Sequence, residues 1–342
     1  MRIAGKFLVL LSSGIMMLAV ACEKSNSEKF DTKSSLVQIP TGFPAMPFPN
    51  DNAFSEARWR FGKKLFFDPV LSIDSTLSCG SCHKPHLAFA DDQAFSPGVF
   101  NRPGVRNAPS LANVGYHPYL LREGSIKTLE MQVLVPIQEH NEFAHDMLAI
   151  IALLENRKDY QKLSVQAYQS PPTPFTITRA LGTYQRSLIS GQSTWDKYFY
   201  QGKEQALSES EKRGWQLFNS AKTNCSSCHA GFNFSNYSFQ NNGLDTAYLD
   251  LGRARLTGLS SDQALFKVPS LRNVEFTTPY MHNGQFNTLL EVVNHYNSGG
   301  ENHPNKSALI TPLNLNESEK SDLVNFLLSL SDHHFIATHK NQ

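Results

Sequence analysis

Two copies of the pattern Cys-x-x-Cys-His constrain this chain more than any other feature. They read Cys79-Gly-Ser-Cys82-His83 and Cys225-Ser-Ser-Cys228-His229. In this spacing the two thiols can form thioether bonds to one haem, and the adjacent imidazole becomes the proximal ligand of its iron. One copy alone could also be half of a zinc site or a redox-active dithiol, but two copies, each followed by His, indicate covalent haem. We therefore predict two haem c groups, with His83 and His229 as axial iron ligands.

The distribution of amphipathic segments predicts a fold built from two similar halves. The chain has 342 residues, which is enough for two domains of ordinary size. Segments 56–66 and 211–218 have similar sequences, and each precedes one haem-binding motif, so we interpret them as a repeated helix. Segments 177–190 and 318–331 have apolar residues at helical spacing and are candidates for the helices that pack against them. The sequence thus predicts a mainly α fold, in which two cytochrome c-like haem domains pack around an inter-haem interface.

The N-terminal residues have the pattern of an export signal. Two basic residues, Arg2 and Lys6, precede the apolar run 7–20, which is too short and too close to the N-terminus for a functional membrane span. The small residues before Cys22 resemble a bacterial lipoprotein signal, so we expect Cys22 to carry lipid that holds the protein at a membrane surface; ordinary cleavage is the alternative. Segment 22–43 is polar and then rich in proline, which is typical of a flexible tether. The predicted organisation is a signal peptide, a lipid-anchored tether, an N-terminal haem domain and a C-terminal haem domain, at residues 1–21, 22–43, 44–202 and 203–342.

The net charge and the cysteines limit the kinds of partner and the cellular compartment to be expected. The net charge of +1 at pH 7 gives no reason to expect a nucleic-acid partner. All five cysteines are assigned, four to haem and one to lipid, so none remains for a disulfide even though an oxidising compartment would permit one. We expect a protein of the periplasm or cell envelope.

Motifs near the haem-binding sequences resemble those of bacterial dihaem cytochrome c peroxidases. The motifs are Leu65-Phe66-Phe67-Asp68-Pro69, Val268-Pro269-Ser270-Leu271-Arg272-Asn273-Val274 and Pro279-Tyr280-Met281-His282-Asn283-Gly284. Their order and spacing agree with that family from about residue 48 to residue 332. The MauG subgroup, which oxidises a partner protein, belongs to the same family. The resemblance implies a peroxidatic haem in the N-terminal domain and an electron-transfer haem in the C-terminal domain.

For the first haem, the resemblance implies an iron with an open coordination position. In many family members a His in the loop after the motif closes the distal side, but here that place is Val99, and the loop 95–100 contains no His. An iron that lacks a sixth protein ligand can react without prior activation. We expect His86 and His117 to be surface residues, because the first lies too close to the motif and the second lies beyond the loop.

The resemblance also implies two distal residues that act on peroxide. The family has a Gln and a Glu on either side of a Pro, and these positions map onto Gln132, Pro136 and Glu142. Glu142 would take the proton from the near oxygen of hydrogen peroxide and deliver it to the leaving oxygen, and Gln132 would hydrogen-bond the peroxide. Without the family, both side chains would be interpreted as solvated polar residues. Glu139 and His140 are nearby alternatives to Glu142.

For the second haem, the resemblance points to Tyr296 as the distal ligand. Peroxidases usually have Met at this position, whereas MauG has Tyr. A phenolate donates charge to ferric iron, so this haem should have a lower potential than a His/Met haem. The other candidates are Met281, His295 and His303. The alternative interpretation of Tyr296 is an aromatic core residue near a helix end.

The region between the haems departs from the family at one position. Family members usually have a Trp there, and the corresponding residue in this chain is Arg122. This puts a tryptophan relay in doubt, although another aromatic residue or the haem propionates could carry the electron. The resemblance also implies a calcium ion, held by the side-chain oxygen of Asn107 and the backbone carbonyls of Thr277 and Pro279, since hard oxygen donors suit Ca²⁺.

These expectations lead to one main function and two alternatives. The main one is a peroxidase that reduces H₂O₂ to water, with electrons from a small cytochrome c or cupredoxin. The second is a MauG-like oxidase that draws electrons from a partner protein, which Tyr296 favours and the missing Trp weakens. The third is a dihaem electron carrier, which Gln132, Glu142 and the absent distal His argue against. Family members are often dimers, so a homodimer is compatible with the resemblance, although no residue specifies it.

Overall fold

The computed structural model describes residues 35–342. The predicted signal peptide at 1–21 and Cys22, the predicted site of lipidation, lie outside the described residues, and so does most of the tether. The described part is mainly helical, as predicted, and its only named strands form one short antiparallel pair. No helix within residues 35–342 is both long enough and apolar enough to cross a membrane.

Between residues 35 and 202 the structure contains eight α-helices. They are α1 (Glu56–Phe67), α2 (Cys79–Cys82), α3 (Leu129–Gln132), α4 (Leu134–Gln138), α5 (Met147–Glu155), α6 (Lys158–Tyr168), α7 (Pro174–Arg186) and α8 (Thr194–Phe199). The remaining helices and the two strands are α9 (Glu209–Phe218), β1 (Phe239–Gln240), α10 (Ala254–Thr257), β2 (Phe266–Lys267), α11 (Leu289–Ser298), α12 (Glu317–Leu328) and α13 (His333–His339). Long loops connect these elements and carry most of the predicted site residues.

The predicted repeat is confirmed as a pair of helix crossings. α1 packs on α7 in the first half, and α9 packs on α12 in the second. At each crossing a glycine allows the backbones to touch, because a methyl group on Gly62 would overlap the backbone oxygen of Ala180, and one on Gly214 would overlap that of Asp322. The two halves therefore use the same residue type at the same point of contact.

Both predicted packing helices end before their apolar patterns do: α12 ends at Leu328 instead of Ser331, and the difference is larger for α7. The pattern runs to Ser190, but α7 ends at Arg186. Beyond it the backbone turns toward Asn113, whose side chain accepts a hydrogen bond from Ser190 N (2.9 Å) and donates one to Ser190 O (2.8 Å). The backbone N–H of Asn113 also donates to Leu188 O (2.7 Å). These long-range bonds replace the next helical turn.

Two apolar cores support the two halves, and each receives a helix from beyond the predicted boundary near Gly202. The first core surrounds Phe66 and Tyr184 and also contains Phe335 of α13. The second core surrounds Phe326 and also contains Trp195 of α8. The domain limits at 44–202 and 203–342 stay a prediction, and the packing shows that the halves are interlocked rather than separate.

Candidate active site

The first haem-binding motif presents its histidine as a metal ligand. Cys79 and Cys82 begin and end the short helix α2, and His83 follows directly. The Nδ1 atom of His83 lies 2.9 Å from the backbone oxygen of Phe89, a carbonyl that can only accept, so Nδ1 carries the proton and Nε2 keeps its lone pair. Burial lowers the pKa of this imidazole and favours the neutral form that binds iron.

The second motif has the same arrangement. Cys225 opens a single 3₁₀ turn, and His229 follows Cys228. Its Nδ1 atom lies 3.1 Å from the backbone oxygen of Phe234, so Nδ1 again carries the proton and Nε2 keeps its lone pair. Burial also lowers the pKa of His229. Both sequence-predicted axial histidines are therefore oriented as haem ligands by a backbone carbonyl a few residues further along the chain.

The four motif cysteines are half-buried and form no disulfide with one another. Burial raises the pKa of Cys79 to about 12 and that of Cys82 to about 11, whereas reactive and metal-binding cysteines have a lowered pKa. Burial raises the pKa of Cys225 and Cys228 as well. Two cysteines followed by one histidine, twice in the chain, match the pattern of covalent haem attachment.

The structure places Glu142 beside the first motif. Its negative charge is among the causes that raise the pKa of Cys79, after burial and Cys82, and it also contributes, behind burial and other groups, at Cys82. The backbone oxygen of Glu142 accepts a hydrogen bond from Val99 N (2.9 Å), so the loop that lacks the distal His is tied directly to this residue. A methyl group on Gly98 would overlap the backbone oxygen of Asn141, which shows how tightly the two loops pack.

The carboxyl group of Glu142 has the properties of a general base. Its side chain is exposed, but protein atoms crowd around the carboxyl group, and this partial burial, followed by the nearby charge of Glu139, raises its pKa to about 7. Within residues 35–342 the carboxyl group makes no hydrogen bond, so its lone pairs are available to another molecule. A carboxylate with a pKa near the ambient pH is well matched to proton transfer.

The two alternatives to Glu142 differ from it in being engaged in other contacts. Glu139 is exposed, and its carboxylate accepts a hydrogen bond from Asn141 N at 3.4 Å. His140 is exposed as well, and Arg102 lies against it, with a bond to the His140 backbone oxygen at 3.1 Å. Neither contributes to the pKa of the first motif's thiols. The geometry therefore favours Glu142, as the family spacing predicts.

Gln132 is the last residue of α3 and is half-buried. Its side-chain amide makes no hydrogen bond to any described residue and remains free to orient a bound molecule. Another polar residue of the same helix, Glu130, is fully used by the fold, because it is buried against Arg186 with a hydrogen bond of 2.9 Å. The contrast within one short helix supports a role for Gln132 outside packing.

His86 is exposed as expected, but the expectation that His117 lies on the surface is wrong. The side chain of His117 is half-buried, its Nε2 atom is enclosed without a hydrogen-bond partner among the described residues, and its ring lies 5.0 Å from that of Tyr237. Burial, and then the charge of Lys267, lowers the pKa of His117 well below 6.5. The contacts that bury it come from the C-terminal half, which no local sequence pattern reveals.

Tyr296 lies on α11 near the second motif. Its hydroxyl oxygen accepts a hydrogen bond from Asn242 Nδ2 at 3.4 Å, and the same nitrogen donates to the sulfur of Met281 at 3.3 Å. Burial raises the pKa of Tyr296, and the thiols of Cys225 and Cys228 add to the shift, which places the phenol close to the haem-binding cysteines. Tyr296 and Met281 are thus the two candidate distal ligands that the structure brings to one point.

The two competing histidines are engaged elsewhere. Nε2 of His295 lies 3.1 Å from the backbone oxygen of Asn242, so this imidazole is committed to the chain. Nδ1 of His303 interacts with the amide of Asn241 at 3.1 Å and with the backbone N–H of Asn305 at 3.1 Å. Among the described residues, neither histidine makes a hydrogen bond to Tyr296 or to the second motif.

Arg122 occupies the region between the halves. Its guanidinium donates to the backbone oxygen of Asn107 (2.7 Å) and to Oδ1 of the same residue (3.1 Å). Burial, followed by the charge of Arg106, lowers the pKa of Arg122 to about 10, so the group is still cationic at neutral pH. The side-chain oxygen expected to bind calcium is therefore already paired with a cation, and the predicted set of Asn107, Thr277 and Pro279 does not fit Ca²⁺.

A further ionic cluster ties the halves together beside Arg122. Arg106 makes a two-point interaction with Asp250, at 2.6 Å and 2.9 Å, and also pairs with Glu123. His282 lies next to this cluster, stacked on Phe266 with ring centroids 4.1 Å apart. Burial, and then the neighbouring Arg122, lowers the pKa of His282 to about 4. The interface thus combines a stacked pair of neutral rings with an arginine that is paired with two carboxylates.

Comparison with known proteins agrees with this geometry. The family model described as di-haem cytochrome c peroxidase matches residues 56–205, and the cytochrome c model matches residues 211–331. The methylamine utilization protein MauG of Methylorubrum extorquens is 34% identical over 290 residues, which cover 84% of this chain and 81% of MauG. The chain belongs to the dihaem cytochrome c peroxidase and MauG family. It therefore carries two haem c groups and is an oxidoreductase of the peroxidase type.

Other relatives within the dihaem peroxidase family support the same assignment. The cytochrome c551 peroxidase of Pseudomonas aeruginosa is 29% identical over 294 residues, which cover 83% of this chain and 84% of that enzyme. The crystal structure of a MauG-like protein associated with microbial copper homeostasis superimposes with a TM-score of 0.84 at 33% identity, covering 89% of this chain and 97% of that one. The predicted family and fold class are confirmed.

Proposed function

We propose that this protein reduces hydrogen peroxide to water at the first haem, with electrons supplied through the second haem by a small cytochrome c or cupredoxin. The balance is H₂O₂ + 2 e⁻ + 2 H⁺ giving two water molecules. The observation that carries the proposal is the carboxyl group of Glu142, which lies beside the first motif, has no hydrogen bond to a described residue and has a pKa of about 7. A pure electron carrier has no use for such a group.

The residues of the first site divide the work. When bound, the haem supplies a redox-active iron with a coordination position open to peroxide. The Phe89 carbonyl holds His83 in the tautomer that binds iron. Glu142 accepts the proton of the near peroxide oxygen and returns it to the far oxygen, which leaves as water. Gln132 donates a hydrogen bond from its free amide and fixes the orientation of the peroxide.

The placement of Tyr296 supports a second candidate function. Tyr296 lies close to Cys225 and Cys228 and is held by Asn242, as an oxygen ligand of the second iron would be. An oxygen ligand stabilises the oxidised state and suits an enzyme that withdraws electrons from a partner protein. The relative named for methylamine utilization belongs to this branch. In this alternative, the electrons come from side chains of the partner instead of a redox carrier.

The N-terminal sequence supports a location in the cell envelope. We infer that the chain is exported to the periplasm and remains at a membrane surface through lipid on Cys22, because an apolar run ending in small residues precedes that cysteine. Labelling of the expressed protein with radioactive palmitate checks this inference. Incorporation should disappear in the Cys22→Ala variant and persist in the wild type.

The decisive experiment measures peroxide turnover with a reduced cytochrome c as electron donor. The wild type should oxidise two equivalents of cytochrome for each H₂O₂ consumed. Glu142→Gln removes the titrating group at nearly constant volume and should lower kcat/KM for peroxide by about 10²- to 10⁴-fold. Glu155→Gln is the matched control, since Glu155 is exposed at the end of α5 and its change should leave turnover within about twofold.

Three results would contradict the proposal. No consumption of peroxide with any reduced donor protein would leave only the carrier function. Peroxide consumption without oxidation of any small donor, but with oxidation of a co-purified protein, would select the MauG-like function. Normal turnover in Glu142→Gln would remove Glu142 from its assigned role.

A further inference from the structure

The inter-haem region contains a cation supplied by the chain itself. Nε and a terminal nitrogen of Arg122 both donate to the backbone oxygen of Asn107, at 3.2 Å and 2.7 Å, and the terminal nitrogen also donates to Oδ1 of Asn107 at 3.1 Å. The amide of Asn107 cannot turn away, since its Nδ2 donates to the backbone oxygen of Gln93 at 3.1 Å. Asn107 is buried, so these bonds are shielded from water.

The charges around Arg122 are unfavourable for a second cation. Lys267 lies close by and has only a backbone carbonyl, that of Tyr119, as a hydrogen-bond acceptor among the described residues. Burial, followed by the charge of Arg122, lowers the pKa of Lys267 to about 8, which still leaves it mainly protonated at pH 7. The nearest carboxylates, Asp250 and Glu123, are paired with Arg106. A divalent ion entering here would meet net positive charge at short range.

We propose that the Arg122 guanidinium takes the place of the calcium ion that the family resemblance implies, so that this protein binds no calcium between its halves and needs none. Calcium would require Oδ1 of Asn107 together with the carbonyls of Thr277 and Pro279. Arg122 donates a hydrogen bond to Oδ1 of Asn107, and the two remaining backbone carbonyls do not hold Ca²⁺ by themselves. The position that is Trp in the family is therefore the position that supplies the cation here.

The guanidinium also takes over the structural task of a bound ion. Arg122 holds Asn107, and the backbone N–H of Asn107 donates to the backbone oxygen of His282 at 2.8 Å. The backbone oxygen of Arg122 in turn accepts a bond from Lys267 N at 2.7 Å. One residue thus connects two loops of the N-terminal half to two segments of the C-terminal half, without any ligand that chelators could remove.

Metal analysis of the purified holoprotein tests the proposal directly. After dialysis into calcium-free buffer, elemental analysis should find iron at two atoms per chain and only trace calcium. Addition of millimolar CaCl₂ or of EGTA should change neither the thermal unfolding midpoint nor the ferric absorption spectrum, with MgCl₂ as the ionic-strength control. One tightly held calcium per chain, or a spectral change with EGTA, would overturn the proposal.

A charge-removing variant provides an independent test. Arg122→Gln frees Oδ1 of Asn107 and removes the repulsion, so its unfolding midpoint should rise when CaCl₂ is added. Arg255→Gln is the matched control, because Arg255 is exposed and loses the same charge elsewhere; it should stay insensitive to calcium. Absence of a calcium response in folded Arg122→Gln would show that the guanidinium is not what displaces the ion. If that variant does not fold, the wild-type metal content decides, and neither readout depends on peroxide turnover.

Discussion

The hydroxyl oxygen of Tyr296 and the sulfur of Met281 accept hydrogen bonds from the same nitrogen, Nδ2 of Asn242, at 3.4 Å and 3.3 Å. The two atoms best suited to bind the second iron are therefore near neighbours. The protein places an oxygen donor and a sulfur donor at one position, and the identity of the ligand sets the potential of that haem.

Replacement of the phenol tests which of the two atoms is the ligand. Tyr296→Phe should change the absorption and paramagnetic resonance spectra of the second haem and raise its reduction potential by on the order of 100 mV, a fraction of the roughly 0.8 V range that axial ligands span. Met281→Leu should leave both nearly unchanged. If only Met281→Leu altered the spectrum, the Met281 sulfur would be the distal ligand and Tyr296 would be a packing residue of the core.

The raised pKa of Glu142 predicts a pH dependence with a definite sign. The proposed base must be ionised to accept the peroxide proton, and its pKa is about 7. The value of kcat/KM for peroxide should therefore fall tenfold per pH unit below that pKa and reach a plateau above it. Stopped-flow measurements between pH 5 and 9 check this. If the fall of kcat/KM at low pH persisted in Glu142→Gln, the titrating group would be a residue other than Glu142.

The glycine at each helix crossing should be intolerant of a side chain. Gly62→Ala and Gly214→Ala introduce a methyl group against the backbone of Ala180 or Asp322, and the helices must separate to accept it. Each change should lower the free energy of unfolding by about 1–3 kcal/mol, as overpacked cores do. Guanidinium denaturation of the holoprotein measures this. The exposed neighbour Gln216 on α9 provides the control, since Gln216→Ala should cost less than about 0.5 kcal/mol.

The ion pair between Arg106 and Asp250 should hold the halves together. Both side chains are largely buried, so Arg106→Ala leaves the Asp250 and Glu123 carboxylates without their partner. The change should cost about 2 kcal/mol, below the 3–5 kcal/mol typical of fully buried pairs because some exposure remains. A double-mutant cycle with Asp250→Ala checks the assignment. Additive effects in that cycle would mean that the two residues do not stabilise each other.

The elements that sequence could predict are those with a local physical cause. The repeated helices at 56–66 and 211–218 were predictable for two reasons. Each segment has an apolar face at helical spacing, and each is followed by a haem-binding motif. The same motifs predict His83 and His229 as axial ligands, but not the carbonyls of Phe89 and Phe234 that orient them. The end of α7 was not predictable, because it depends on hydrogen bonds from Asn113, a residue far away in the sequence.

The parts of the site that sequence missed depend on contacts between the halves. His117 looks like a surface residue until the C-terminal half covers it. The calcium prediction considered the positions of Asn107, Thr277 and Pro279 one at a time, and nothing local shows that Arg122 reaches the same amide. In both cases the relevant neighbour lies on a different loop, so its effect appears only once the chain is folded.

The last helix has a consequence for the site at the other end of the chain. Phe335 and His339 of α13 pack against the ring of Phe89, with centroids 5.9 Å and 5.5 Å away, and the carbonyl of Phe89 orients His83. The packing of α13 therefore supports, at one remove, the carbonyl that fixes the tautomer of the first proximal imidazole. A change in α13 that loosens this packing reaches the peroxide site without touching any of its residues.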